Sequence, residues 1–212
     1  MRRLEPLVHV QAVTPYCFAE FPRRAVVAPA SGGLLFVAGF VHPPNVDAAC
    51  WLVRDILPLI RQQLPGVRLI LAGSNPTDEV LALATEGVVV TGSLSAEALA
   101  GYYAAARVAV VPLRFGAGVK LKVVEALQQG LPLVTTPIGA QGLPGLADIL
   151  PVAADPAALA AEILRLFRDD AAWLRQSAAQ SAYAERHFSE AVLRESILSA
   201  FVPAPSETRR AA

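Results

Sequence analysis

From residue 34 onward, short apolar runs alternate with longer segments whose apolar positions recur every three or four residues. A short continuous apolar run that ends in glycine, proline or a small polar residue is typical of a strand buried on both faces. Strands are predicted at Leu34–Ala38, Val67–Ala72, Val88–Thr91, Val108–Pro112 and Leu131–Thr135, with a sixth, short strand at Ile149–Val152.

The segments between the strands have helical periodicity. Asn45 is a favourable N-cap for a helix over about Val46–Gln63, and Pro58 predicts a kink or an early end within it. Further helices are predicted after Asn75-Pro76 and at about Ala96–Ala106, Val119–Gln129, Asp155–Arg168, Ala171–His187 and Glu190–Phe201. The alternation predicts an α/β fold: a Rossmann-like parallel sheet with helices on both faces and a helical extension at its C-terminal end.

The two ends of the chain differ from this regular part. Residues 1–33 predict an irregular segment with one short strand at Leu7–Val13, because prolines punctuate them. Residues 34–201 form the predicted domain, and residues 202–212 a disordered tail.

Composition excludes several classes of protein. With 54% hydrophobic and 17% charged residues, the chain is not intrinsically disordered as a whole. The formal net charge is zero and there is no basic block, so no nucleic-acid partner is expected. Proline and glycine break the longest uncharged stretches, which predicts at most peripheral contact with a membrane. Cys17 and Cys50 are expected as reduced thiols of a cytoplasmic protein without a signal peptide.

Open parallel sheets bind ligands outside the carboxyl ends of their strands. Three loops are expected there: Gly39–Asn45, Gly73–Asn75 and Arg114–Val119. His42 lies in the first of them, either as a residue at the edge of the ligand or as a loop histidine without a role.

The third loop has the clearest chemistry. Its glycines allow a ligand to approach the backbone, and the helix that follows offers free N–H groups to a phosphate or diphosphate. The only two lysines among 18 basic residues, Lys120 and Lys122, lie at this helix start, where the helix dipole disfavours a cation. An anionic ligand would explain them; alternatively, Lys122 pairs with Glu125 on the surface.

Glu125 falls away from the apolar stripe of the same helix. A carboxylate here can accept hydrogen bonds from the two vicinal hydroxyls of a ribose, or it is an ordinary solvated glutamate. Other nucleotide and metal motifs do not fit: a dinucleotide fingerprint needs a third glycine at Leu121, no Walker lysine pattern exists, and no histidine clusters with a cysteine.

Several segments together resemble the C-terminal, donor-binding half of family 4 ("group 1") glycosyltransferases of the GT-B fold. The likeness covers about residues 34–200 and depends on the order and spacing of its motifs. They are Phe36–Phe40 with His42–Ala48, Leu71–Pro76, Pro112–Lys120, Val124–Leu127, Gly130–Pro132 and Thr135–Leu143.

The resemblance implies a nucleoside-diphosphate sugar as substrate, transfer with retention at the anomeric carbon, and no bound metal or other cofactor. It implies that Glu125 holds the ribose, that the glycine loop holds the diphosphate and sugar, and that Lys120 neutralises the leaving diphosphate. Lys120 and Glu125 are therefore the expected catalytic residues. With them, the expected donor-binding residues are Gly39, His42, Asn45, Ser74, Arg114, Gly116, Ala117, Gly118 and Val119.

The sequence departs from the family pattern in three ways. Ala117 stands where many relatives have a glutamate that touches the donor sugar, although a Gly-Ala-Gly-Val-Lys subgroup also lacks it. Phe40 follows Gly39 where an arginine and then a lysine are frequent, so Lys120 or Arg114 must serve the phosphates. The 33 residues before the first strand of the domain are too few for an N-terminal acceptor domain.

Two hypotheses follow. The chain is a donor-binding half that acts with an N-terminal acceptor half on another chain, or is a fragment of a longer enzyme. Alternatively, it is a non-catalytic module that recognises a nucleotide sugar or a partner protein. An exposed apolar face on the side of the acceptor half suits either hypothesis and predicts self-association.

Overall fold

The computed structural model describes Val13, residues 16–22, Ala28 and residues 32–201. Five parallel strands form one sheet in the order β3-β2-β1-β4-β5. They are β1 (Leu34–Val37), β2 (Leu69–Ala72), β3 (Val88–Val90), β4 (Val108–Val111) and β5 (Leu133–Thr135). This confirms the predicted Rossmann-like α/β fold. Apart from Val13, the strand predicted at Leu7–Val13 lies outside the described residues, as does the predicted tail, 202–212.

Apolar side chains bury the centre of the sheet. β1 lies between β2 and β4, with Leu34 in register with Leu69 on one side and Val108 on the other. All three side chains are fully buried. Continuous burial of this kind requires helices on both faces, because a parallel sheet has no solvated face.

The helices follow the strands in the order that the sequence predicts. They are α1 (Pro43–Trp51), α2 (Leu57–Arg61), α3 (Asp78–Leu81), α4 (Ala96–Ala105), α5 (Leu121–Gln128), α6 (Pro156–Arg168), α7 (Asp170–Phe188) and α8 (Glu190–Phe201). None of the helices that the structure describes is both long and apolar enough to span a bilayer.

Two predicted helix starts in the first half of the chain are wrong. Helix α1 begins at Pro43 with His42 as its N-cap, so Asn45 lies inside the first turn. Pro43 suits that start because a helix leaves the first N–H groups unpaired and proline has none to lose. The short helix after Asn75-Pro76 begins only at Asp78, where Thr77 accepts a hydrogen bond from the N–H of Val80.

Helix α1 continues into α2 through a π-helical stretch, Leu52–Ile56. This irregularity ends two residues before Pro58, where a kink was predicted. Proline lacks an N–H and its ring crowds the carbonyl four residues earlier, so the helix widens there and then continues to Arg61.

The predicted sixth strand is a single bridge. Thr135 of β5 donates its N–H to the Pro151 carbonyl at 3.4 Å and accepts from the N–H of Ala153 at 3.0 Å, and no strand follows in the described chain. Pro151 has no N–H, so the ladder cannot extend through it.

Helix α7 covers the outer edge of β5 with polar side chains. The Gln180 side chain accepts from the N–H of Leu133 at 2.9 Å and donates to the carbonyl oxygen of Leu131 at 2.7 Å. Gln176 donates to the carbonyl oxygen of Leu133 at 2.9 Å. These bonds replace the missing neighbouring strand and keep the edge closed.

Candidate functional site

A cleft of about 890 Å³ opens beyond the carboxyl ends of the strands. It gathers loops that follow β1, β2, β3 and β4, together with the start of α5. Nine of the predicted site residues line it: Gly39, His42, Asn45, Ser74, Gly116, Ala117, Val119, Lys120 and Glu125. Gly118 and Arg114 do not line it.

The loop between β4 and α5 has backbone angles that favour glycine. Gly116 has φ +131° and Gly118 has φ +72°. A side chain at either position would strain the backbone, so the glycines are needed for the path of this loop. That path places the loop beside the cleft and leads directly into the N-terminus of α5.

Lys120 is the N-cap residue of α5, one residue outside the helix that was predicted to contain it. Its ammonium group donates to the carbonyl oxygen of Gly118 at 2.5 Å and to Oε1 of Gln141 at 3.4 Å. Burial lowers the pKa of this lysine. The ammonium thus lies over the glycine loop, at the end of the helix where the dipole is positive.

Lys122 lies deeper in the cleft than Lys120. Its ammonium donates to Oδ1 of Asn45 and lies 5.4 Å from the centre of the Phe36 ring. Burial, with a smaller contribution from the charge of Lys120, lowers the pKa of Lys122 to about 8. The alternative of a simple surface pair with Glu125 therefore does not describe this residue, which is bonded to α1 instead.

Asn45 links α1, α5 and the loop after β1. While Oδ1 accepts from Lys122, Nδ2 donates to the carbonyl oxygen of Gly39 at 2.7 Å. The amide is therefore satisfied on both sides, and it fixes the first loop of the cleft against the start of α5.

Glu125 lines the cleft on the second turn of α5. Its Oε2 accepts a hydrogen bond of 3.2 Å from the hydroxyl of Tyr103 on α4. Burial raises the pKa of Glu125, while the Tyr103 hydrogen bond and the charge of Lys122 oppose that rise. This carboxylate is thus held by a neighbouring helix, unlike an ordinary solvated glutamate.

Arg114 lies in a different groove, on the outer face of α1. Its guanidinium pairs with the carboxylate of Asp47 and lies 5.3 Å from the centre of the Trp51 ring. The sequence placed it with the phosphate-binding residues because it adjoins the glycine loop. The structure directs its side chain away from that loop, which leaves Lys120 and Lys122 as the cations of the cleft among the described residues.

Sequence reasoning missed some residues of the site. The sequence favours an anionic ligand for Lys122, with a surface pair to Glu125 as the alternative, but the predicted site residues do not include it; its burial depends on a contact with α1. Tyr103 gave no signal, since its contact with Glu125 spans 22 residues. The cleft is also lined by Ser93 and Leu94 of the loop after β3 and by Leu99 of α4.

Two ammonium groups, a helix N-terminus and a partly buried carboxylate thus face one cleft. Such a set can bind an anion at one end and a group with paired hydroxyls at the other. The sheet and the position of the cleft together define a Rossmann-like α/β domain whose candidate ligand site lies at the strand ends.

The chain belongs to a known enzyme family. The family described as "Glycosyl transferases group 1" matches residues 31–169, which covers the sheet and the whole cleft. A Klebsiella pneumoniae protein described as an uncharacterized 44.6 kDa protein in the cps region is 26% identical over 141 residues, which cover 63% of this chain and 35% of that protein.

Solved structures share the fold. TarM, an S. aureus protein, matches 88% of this chain and 38% of its own with a TM-score of 0.71 and 14% identity. Alr3699/HepE of Anabaena, solved in complex with UDP and glucose, matches 80% of this chain and 48% of its own with a TM-score of 0.62 and 16% identity. The chain therefore spans less than half the length of these proteins.

Proposed function

We propose that this chain is the donor-binding half of a retaining glycosyltransferase that takes a nucleoside-diphosphate sugar. The observation that carries the proposal is the convergence of the glycine loop, two lysines and Glu125 on one cleft at the strand ends. Family membership and the UDP bound in a structural neighbour support the same substrate class.

The diphosphate binds at the glycine loop and the N-terminus of α5. Lys120 and Lys122 stand beside this position, and the helix N-terminus adds free N–H groups. When the bond to the sugar breaks, negative charge develops on the departing diphosphate. The two ammonium groups stabilise that charge, and transfer proceeds without a bound metal.

The ribose binds at Glu125. A carboxylate has two acceptor oxygens, which suit the two neighbouring hydroxyls of a ribose. Ala117, His42 and Ser74 line the cleft near the loops and contact the sugar. Leu94 and Leu99 also line the cleft and provide apolar surface for the base.

The acceptor binds on a second half that completes the enzyme. The structural neighbours are more than twice as long as the part that matches this chain. Leu121 at the start of α5 lines the cleft and is 47% exposed, and Val41 and Phe115, which line the groove of Arg114, are 64% and 46% exposed. Exposed apolar side chains of this kind suit contact with another domain or chain.

The second candidate function is a non-catalytic module that binds the nucleotide sugar or only a partner. Two residues favour it. Ala117 has only a methyl side chain, which cannot form a hydrogen bond to the sugar. Phe40 is fully buried at a position where many relatives have a cation. Turnover of a nucleotide sugar, alone or after addition of an acceptor half, excludes this alternative.

Calorimetric titration with UDP, GDP and ADP tests the donor-site proposal. We expect one of them to bind, and Glu125→Ala to weaken it at least about tenfold because the ribose hydroxyls lose a charged acceptor. Glu97→Ala, on the exposed side of α4, is the matched control and should bind like the unmodified chain. Failure of all three nucleotides to bind, or equal binding by Glu125→Ala, would overturn the proposal.

A further inference from the structure

We propose that Tyr103 is a positioning residue that holds the Glu125 carboxylate in the orientation that accepts the ribose hydroxyls. This inference rests on the proposed function. Tyr103 lies on α4, is 3% exposed and donates its hydroxyl to Oε2 of Glu125 at 3.2 Å. It touches the carboxylate from the interior of the protein and does not line the cleft.

The Glu125 carboxylate accepts a hydrogen bond from the protein and also lines the cleft. A glutamate side chain has three rotatable bonds, and fixing it costs conformational entropy whenever a ligand must do so. The tyrosine hydroxyl fixes Oε2 before any ligand arrives. Oε1 and the second lone pair of Oε2 then remain for two donors from the ligand.

A neutral donor is well suited to this role. The phenol stabilises the ionised carboxylate without adding a cation that would compete with the ligand. The other ionisable group that acts on Glu125 is Lys122 of the same helix, which also favours the ionised form. Burial acts in the opposite direction and raises the pKa of Glu125, so the hydroxyl of Tyr103 keeps the carboxylate ionised at lower pH.

The experiment compares three proteins: the unmodified chain, Tyr103→Phe and Tyr102→Phe. Tyr102 is the adjacent tyrosine of α4 and lies partly exposed, so its variant controls for the loss of a hydroxyl. Each protein is titrated from pH 5 to pH 8 with the tightest binder among UDP, GDP and ADP, and with its 2′-deoxy form.

Tyr103→Phe should weaken the ribonucleotide about five- to tenfold and reduce the preference over the 2′-deoxy form. As the pH falls, Tyr103→Phe should begin to lose affinity at a higher pH than the unmodified chain, because the pKa of Glu125 is higher without the tyrosine hydroxyl. Tyr102→Phe should behave like the unmodified chain. In a Glu125→Ala background, Tyr103→Phe should have no further effect, since the tyrosine acts through that carboxylate.

The outcomes separate the two proposals. If Glu125→Ala weakens binding but Tyr103→Phe keeps the affinity, the 2′-deoxy preference and the pH profile, the role of Tyr103 is overturned and the donor site stands. Additive losses in the double variant also overturn it, because they show a general effect on the fold. If the unmodified chain binds none of the nucleotides, both proposals fail.

Discussion

Lys122 of α5 donates a hydrogen bond to Asn45 of α1, and through that amide it is connected to the carbonyl oxygen of Gly39. The start of one crossover helix is thus bonded to the start of another across the mouth of the sheet. The contact explains how an ammonium group remains buried in a cleft that, among its described residues, has only one carboxylate, that of Glu125.

Removal of the Asn45 amide should destabilise the fold. Asn45→Ala leaves the Gly39 carbonyl and the Lys122 ammonium without this partner, which should cost about 1–3 kcal/mol in the free energy of unfolding. Urea denaturation monitored by circular dichroism measures the change. In a Lys122→Met background the same substitution should cost less, and an equal cost in both backgrounds would show that the two residues are not coupled.

Nucleotide affinity should fall as the pH rises through 8. The pKa of Lys122 is lowered to about 8 by burial, so the free site loses one of its two cations above that pH. A bound diphosphate favours the charged form, and the affinity should therefore decrease by up to about tenfold per pH unit above 8. Titrations between pH 7 and pH 9.5 measure this slope.

Lys122→Met is the matched variant for the pH experiment. It should bind more weakly at pH 7 and lose most of the slope, whereas Arg54→Gln, in the π-helical stretch after α1 and outside the cleft, should keep the affinity and the slope of the unmodified chain. A slope that persists in Lys122→Met would assign the titration to another group.

The pKa of Lys122 also affects stability. Because this pKa is lower in the folded chain than the ordinary value of 10.5, the unfolded chain binds more protons between pH 8 and pH 10.5. The contribution of Lys122 to the free energy of unfolding should therefore increase with pH across that interval. The free energy of unfolding of the unmodified chain should therefore rise relative to that of Lys122→Met as the pH increases from 8 to 10.5, and a constant difference between the two would contradict this.

Gln180 should be important for stability although it lies far from the cleft. Gln180→Leu removes the partners of the Leu133 N–H and the Leu131 carbonyl on the covered edge of β5. Two buried backbone groups without partners should cost about 2–4 kcal/mol. Thermal and urea unfolding test this, with Gln62→Leu at an exposed position as the control. An equal effect in both variants would show that the edge does not need these bonds.

Most of the sheet could be predicted because short segments of the sequence are enough to identify its strands and the helix ends between them. Runs such as Leu34–Val37 are buried on both faces, and glycines such as Gly130 mark helix ends directly in the sequence. The prediction of a sixth strand was wrong because Pro151, within a short apolar run, cannot donate the N–H that a longer ladder needs. Asn45 was assigned as a cap because its preference is local, whereas its actual partners come from other parts of the fold.

The candidate site could be predicted in part for the same reason. The glycine loop and Glu125 stood out by spacing, and the structure brings them to one cleft. Arg114 adjoins that loop in sequence but turns toward Asp47, 67 residues away along the chain. The contact of Tyr103 with Glu125 and the burial of Lys122 depend on the packing of α4, α1 and α5, so no local sequence pattern predicts them.

A crystal structure with the tightest-binding nucleoside diphosphate tests the central claim most directly. We expect the phosphates at the Gly116–Lys120 loop, within hydrogen-bond distance of Lys122. We expect both ribose hydroxyls to bind the Glu125 carboxylate. A nucleotide bound instead in the groove of Arg114 and Asp47, or bound in the cleft with its ribose away from Glu125, would contradict it.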